Sequence, residues 1–186
     1  MPFEFKRLEI SEVVLIKPRL IGDERGFFME TYKESDFAKF GIKDRFVQEN
    51  HSKTFAKGVI RGLHFQKKPM QQAKLVRVVS GGILDVAVDI RRGSATFGRW
   101  VSAVLSTKNQ AMLYIPEGFA HGFCTLEENS EVIYSCSNEY SPADDRGIIW
   151  SDRTIDVHWP SLEPILSERD KKWPTLQDAD VGFNYG

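Results

Sequence analysis

Five short, strand-like runs punctuated by turn signals fill the middle of this 186-residue chain, and their cadence limits the fold more than any other feature. They are KLVRVV (74–79), ILDVAVDI (83–90), RWVSAVL (99–105), AMLYIP (111–116) and EVIYSCS (131–137). Between them stand Gly81-Gly82, Arg92-Gly93-Ser94, Lys108-Asn109, Pro116-Glu117-Gly118 and Glu128-Asn129-Ser130, residue types that reverse a chain tightly. The second run alternates most clearly, with Leu84, Val86, Val88 and Ile90 on one face and Asp85 and Asp89 on the other. Short strands at this spacing predict an all-β domain, either a closed barrel or a two-sheet sandwich. Helical signals are few. Ser35 is placed to cap a short helix over 36–40 ended by Gly41, and a second short helix is expected near 167–172. No βαβ unit, Walker loop or GxGxxG turn is present, which argues against a Rossmann cofactor site.

The length suits one domain, with a barrel core over about 45–145, N-terminal strands within 3–32 and a tail over 160–186. No apolar run approaches the ~18 residues of a membrane helix, and MPFEFKRLEI lacks the apolar stretch of a secretory signal. The 25 basic and 26 acidic residues are interleaved and nearly cancel, so bulk attraction to nucleic acid or an anionic membrane is not expected. A pocket can still gather a few cations for an anionic small molecule. Cys124 and Cys136 lie in strand-like segments without CxxC spacing and read as core thiols of a reducing compartment, with the cytoplasm as the default.

Two strand faces are unusually polar. FVQENHS (46–52) aligns Gln48, Asn50 and Ser52, and RGLHFQ (61–66) aligns Gly62, His64 and Gln66 opposite Leu63 and Phe65. One such face is an ordinary amphipathic strand; several, rich in amide, imidazole and guanidinium groups, point to a lined pocket. His64 carries an imidazole, the side chain best suited to acid–base work, and has Arg61 and Gln66 close by in sequence. His121, in IPEGFAHGF (115–123), reads locally as a histidine in a tight loop between strands. A metal site is not expected: where an HxH pair would need its second histidine stands Gln66, and no third strong ligand is placed to help. Lys74 opens a strand and reads either as a surface lysine or as a cation able to stabilise an enolate oxygen. Tyr134 shares a face with Val132 and Cys136, as a core residue or a proton donor, and Asp170 reads locally as a surface carboxylate.

Taken together, GDERGFFMETY (22–32), FVQENHS (46–52), GVIRGLHFQ (58–66), AKLVRVVSG (73–81), DVAVDIR (85–91), IPEGFAHGF (115–123), the stretch 134–142 and LSERD (166–170) resemble, in order, the dTDP-4-dehydrorhamnose 3,5-epimerase family. The resemblance covers about residues 3–173 and implies a cupin (double-stranded β-helix, jelly-roll) fold, a dTDP-sugar substrate, a homodimer, and no metal or other cofactor. By this resemblance His64 is the base, Asp170 its paired carboxylate, Lys74 the cation at the sugar's 4-keto oxygen and Tyr134 the general acid. Arg25, Glu30, Gln48, Asn50, Arg61, His121, Tyr140, Asp145 and Arg169 match substrate-contacting positions, with Arg25 and Arg61 as diphosphate binders, Tyr140 as an aromatic near the nucleotide base and Phe27 as a weaker candidate for that same region. Three positions depart from the family's usual residues: Glu49 within the usual QDN, Asp145 where Glu is frequent, and Arg169 where lysine is common. None removes a catalytic group. A mono-epimerase or ketoisomerase on a related nucleotide 4-keto-sugar, and a non-catalytic sugar-nucleotide-binding cupin, are the alternatives. In the expected dimer, the segment bearing Phe3, Phe5, Ile10 and Val13 is the candidate to add a strand to a partner's sheet.

Overall fold

The computed structural model describes residues 2–161 and 163–185. Its strands are β1 (Phe3–Arg7), β2 (Val14–Pro18), β3 (Ile21–Asp23), β4 (Gly26–Phe28), β5 (Gln48–Thr54), β6 (Ile60–Gln66), β7 (Lys74–Ser80), β8 (Gly82–Asp89), β9 (Trp100–Ser106), β10 (Met112–Ile115), β11 (Phe119–Thr125), β12 (Ser130–Cys136) and β13 (Asp145–Gly147), with one helix, α1 (Glu34–Phe40). They form a six-stranded sheet ordered β1-β2-β10-β7-β12-β5, a five-stranded sheet ordered β13-β6-β11-β8-β9, and the separate β3–β4 hairpin. Val76, Val78, Leu113 and Val132 of the first sheet interdigitate with Ile83, Ala87, Leu105, Phe119 and Phe123 of the second. This is the expected cupin jelly roll, held by apolar contact between two facing sheets.

Strand β8 shows how alternation can be read correctly and still mislead about which side is wet. Val86, Val88 and Ile90 do share a face, but that face points away from the other sheet and is covered by Ile155, Leu176, Val181 and Phe183 of the C-terminal segment. Asp85 and Asp89, on the opposite face, are fully buried. Asp89 is satisfied there by Arg91, Ser94 and Thr96, whereas Asp85 reaches His121. A carboxylate is tolerated inside a protein only with such partners.

Two local expectations are corrected. Helix α1 begins at Glu34, one turn position ahead of Ser35, because the extended Lys33 supplies the carbonyl that accepts from the Asp36 and Phe37 amides; Gly41 ends it in the left-handed region as expected. No helix forms near 167–172. That stretch makes only isolated turns, bracketed by Pro164 and Pro174, while its Asp170 side chain is drawn inward. At the N-terminus Phe3, Ile10 and Val13 are buried in the chain's own core and β1 pairs with β2, while β1 itself stands at the edge of the six-stranded sheet. Large apolar side chains are also left in water, among them Phe55 at 74% exposed and, clustered on the β3–β4 hairpin, Ile21, Phe27 and Phe28 at 61%, 57% and 65%.

Candidate active site

Strands β6 and β11 run side by side with His64 opposite His121. Gly62, at φ +128°, makes this approach possible: a Cβ there would stand 2.5 Å from the Cα of Gly122. Both imidazoles therefore project into the space between the sheets. Across that space β7 contributes Lys74, β12 contributes Tyr134, and β5 contributes Gln48 and Asn50 from the polar face legible in its sequence.

Two cavities, about 570 Å³ and 280 Å³, open between the sheets, and both are lined by His64, Lys74, Tyr134 and Arg169. The larger continues past Arg61, His121 and Asp170, and the smaller past Gln48, Asn50, Tyr140 and Asp145. The shared residues thus mark a waist between two lobes. Gln48 accepts from the Tyr140 amide at 2.8 Å and donates to Asn50 at 3.0 Å, which fixes the amide row. Asp145 pairs with Arg169 at 2.6 Å and accepts from the Tyr140 hydroxyl at 3.1 Å. Arg61 leans on the Thr54 hydroxyl.

Each histidine is anchored through Nε2. His64 bonds to Asp170 Oδ1 at 2.5 Å across 106 residues of sequence, and His121 bonds to Asp85 Oδ1 at 2.7 Å. An ionised carboxylate only accepts, so Nε2 donates in both and Nδ1 keeps the free lone pair. Burial pushes the Asp170 carboxyl up, but His64, with further help from Ser167 and Trp173, outweighs it and holds the group below the usual carboxylate range. Burial lowers His121 despite the pull of Asp85, with Lys74 and His64 adding to the effect, so its imidazole is held neutral.

Lys74 is driven below an ordinary lysine by burial, against the opposing charges of Cys136, Asp85 and Asp145. Its ammonium lies 5.9 Å from the centre of the Tyr134 ring. Burial raises the Tyr134 phenol, with Cys136 acting in the same sense and Arg61 partly opposing, so the phenol stays protonated past its usual range. A free imidazole nitrogen, a buried cation and a protonated phenol around one cavity are equipped to move protons beside a carbonyl.

The sequence placed Ser52 on the polar face of β5 but did not point to Asp85 or Trp173 as site residues. Among the described residues, Asp85 Oδ2 and the Ser52 hydroxyl are buried without a hydrogen-bond partner, and Ser52 lines the larger cavity. The available signal for Asp85 was an acid in the middle of an otherwise apolar run. His121 stands on a fully buried strand rather than in a loop. Arg25 and Glu30 are not brought to the cavities of their own chain: Arg25 sits at the hairpin turn, paired with Asp23, and Glu30 borders a separate surface depression beside Pro2 and Arg19. Among the described residues no three His, Cys, Asp or Glu side chains cluster as metal ligands, and no helix is long and apolar enough to cross a membrane.

A family model described as dTDP-4-dehydrorhamnose 3,5-epimerase matches residues 7–178. The chain belongs to this family. It is 50% identical over 175 residues to the dTDP-4-dehydrorhamnose 3,5-epimerase of Shigella flexneri, covering 94% of this chain and 96% of that one. Among solved structures it is similar to the dTDP-6-deoxy-D-glucose-3,5-epimerase of Legionella pneumophila in complex with dTDP-4-keto-L-rhamnose, at a TM-score of 0.95 and 40% identity over 99% of both chains. The Sulfolobus tokodaii dTDP-4-dehydrorhamnose 3,5-epimerase is 48% identical with a TM-score of 0.91, over 99% of this chain and 100% of that one. The epimerase family resemblance therefore extends from motifs to the whole backbone.

Proposed function

We propose that this epimerase-family chain inverts carbons 3 and 5 of dTDP-4-dehydro-6-deoxyglucose, giving dTDP-4-dehydrorhamnose. The observation that carries this reading is the placement of His64 and Tyr134 on facing sheets around one cavity, with Lys74 beside Tyr134 on the neighbouring strand. A 4-keto group acidifies the hydrogens on both neighbouring carbons, because the carbanion delocalises onto oxygen. His64 Nδ1 takes the proton, the electron pair moves into the enolate, and the Lys74 ammonium meets the charge on O4. Asp170 holds the imidazole and stabilises the imidazolium. Tyr134 then donates its proton to the opposite face, and solvent restores both groups before the second carbon reacts. Both cycles are proton transfers, so electrons balance without a redox carrier. Arg61 and Arg169 supply fixed cations for the diphosphate, and the unpaired buried thiols fit a cytoplasmic enzyme.

Product stereochemistry tests the assignment. With the dTDP-4-dehydro-6-deoxyglucose substrate, inversion at both carbons is expected; inversion at one carbon would make the chain a mono-epimerase, and a displaced ketone a ketoisomerase. In Tyr134→Phe, wash-in of solvent deuterium should persist while inversion falls by at least about tenfold, within the range of a lost general acid. Equal loss of both would remove Tyr134 from the acid role.

We infer further that the active unit is a homodimer in which the β3–β4 hairpin lends Arg25 to the partner's cavity. The exposed Ile21, Phe27 and Phe28 need cover, and the side chain of Arg25, 83% exposed, pairs with Asp23 alone among the described residues. Complementation reads this directly. Arg25→Ala and His64→Asn dimers, each nearly inactive, should on subunit exchange recover roughly a quarter of native activity, since half the dimers are mixed and each mixed dimer holds one intact site. No recovery after verified exchange would contradict the shared site.

A further inference from the structure

Trp173 touches each group on one side of the waist without lining either cavity. Its indole Nε1 donates at 3.2 Å to Asp170 Oδ1, the same oxygen that His64 Nε2 reaches at 2.5 Å. Its ring meets the His64 imidazole edge-on at 6.1 Å, and the Arg169 guanidinium covers it at 5.6 Å. Gly147 makes room for it: this residue pairs with His64 in the β13–β6 ladder, and a Cβ there would overlap the indole ring. The side chain thus occupies a notch that one glycine leaves open directly beside the imidazole.

We propose that Trp173 is a positioning residue for the His64–Asp170 pair, its N–H fixing which carboxylate oxygen the imidazole sees and limiting how tightly that oxygen holds the imidazolium. This rests on His64 acting as the base. A carboxylate oxygen that accepts two hydrogen bonds shares its charge between them. Remove the indole donor and Asp170, still steadied by Ser167, leans more on the imidazole: the protonated imidazole is held more strongly, gives up its proton more slowly, and is aimed by a carboxylate with one restraint fewer. The other groups around His64 stay in place, namely Arg169, whose Nη2 is 3.5 Å from Nε2, with Lys74, Tyr134, His121 and Asp145 on the neighbouring strands.

Trp173→Phe keeps the ring in its notch and deletes only the donor. Its kcat is expected to fall about tenfold, the scale of one lost hydrogen bond to a charged group, with KM within about twofold and the acid limb of the pH–rate profile moved upward. Gly147→Ala, which evicts the ring, should give the same signature. In the unaltered protein without substrate, the Trp173 indole N–H resonance should titrate with the midpoint of the His64 imidazole nitrogens, because both meet one oxygen. A Trp173→Phe protein with native kcat and acid limb would overturn the proposal, as would one whose only change is a lower melting temperature. An indole resonance indifferent to His64 titration would overturn it without any variant. That last measurement involves no turnover, so it stands or falls separately from the proposed reaction.

Discussion

Replacing His64 with asparagine is expected to lower kcat by about 10²–10⁴-fold, the usual contribution of a positioned general base, and to abolish solvent exchange at both sugar carbons. Asparagine keeps a polar group near Asp170 and fills a similar volume, so the sheets should remain folded. KM should change little, since the lost interaction belongs to proton transfer rather than to holding the substrate. The half-buried imidazole lines the cavity and is tied to its surroundings through Asp170 and Trp173, so a melting curve taken with the kinetics separates folding from catalysis. Normal exchange in this variant would assign abstraction to another group, and His121, opposite it on β11, would be the next to test.

Lys74→Met should cost about 10²–10³-fold in kcat, the range for removing one preorganised donor from a developing oxyanion. Methionine matches the length of the side chain and suits its buried setting, so stability should hold or rise slightly as the burial of a charge is relieved. The pH profile gives an independent reading. Burial places the lysine below its ordinary value of roughly 10.4, and its charge is partly protected by Cys136, Asp85 and Asp145. The cation is needed for catalysis, so activity should fall as the pH rises through this depressed value. Tyr134 shifts the other way and remains an acid beyond that point. Lys74→Arg should retain part of the activity and lose the alkaline limb, because guanidinium does not titrate there. A native alkaline limb in that variant would show that another group controls it.

Period-two alternation made much of this site legible. Gln48, Asn50 and Ser52 on β5, His64 and Gln66 on β6, and Tyr134 with Cys136 on β12 lie on the faces their spacing required. Alternation failed where both sides of a strand are buried. Strand β11 carries no polar face, and Gly118 and Gly122 gave it the look of a loop, although every residue of it is buried. On β8 the faces were right and their surroundings were not, because the C-terminal segment covers the apolar side and leaves Asp85 inside the jelly roll. Asp170 could be linked to His64 only through the family resemblance; local sequence cannot announce a partner 106 residues away. The same limit applies to Trp173, whose role depends on the room left at Gly147. Hairpin residue Arg25 exposes a different limit: the resemblance places it at the substrate, yet in its own chain it lies away from the two central cavities and pairs with Asp23.

The central claim is opposite-face proton transfer next to a ketone, and NMR of the product formed in heavy water tests it most directly. One deuterium is expected at carbon 3 and one at carbon 5, each on an inverted centre, with both signals lost in His64→Asn. Product carrying the original hydrogens at those carbons, or deuterium there without inversion, would contradict it.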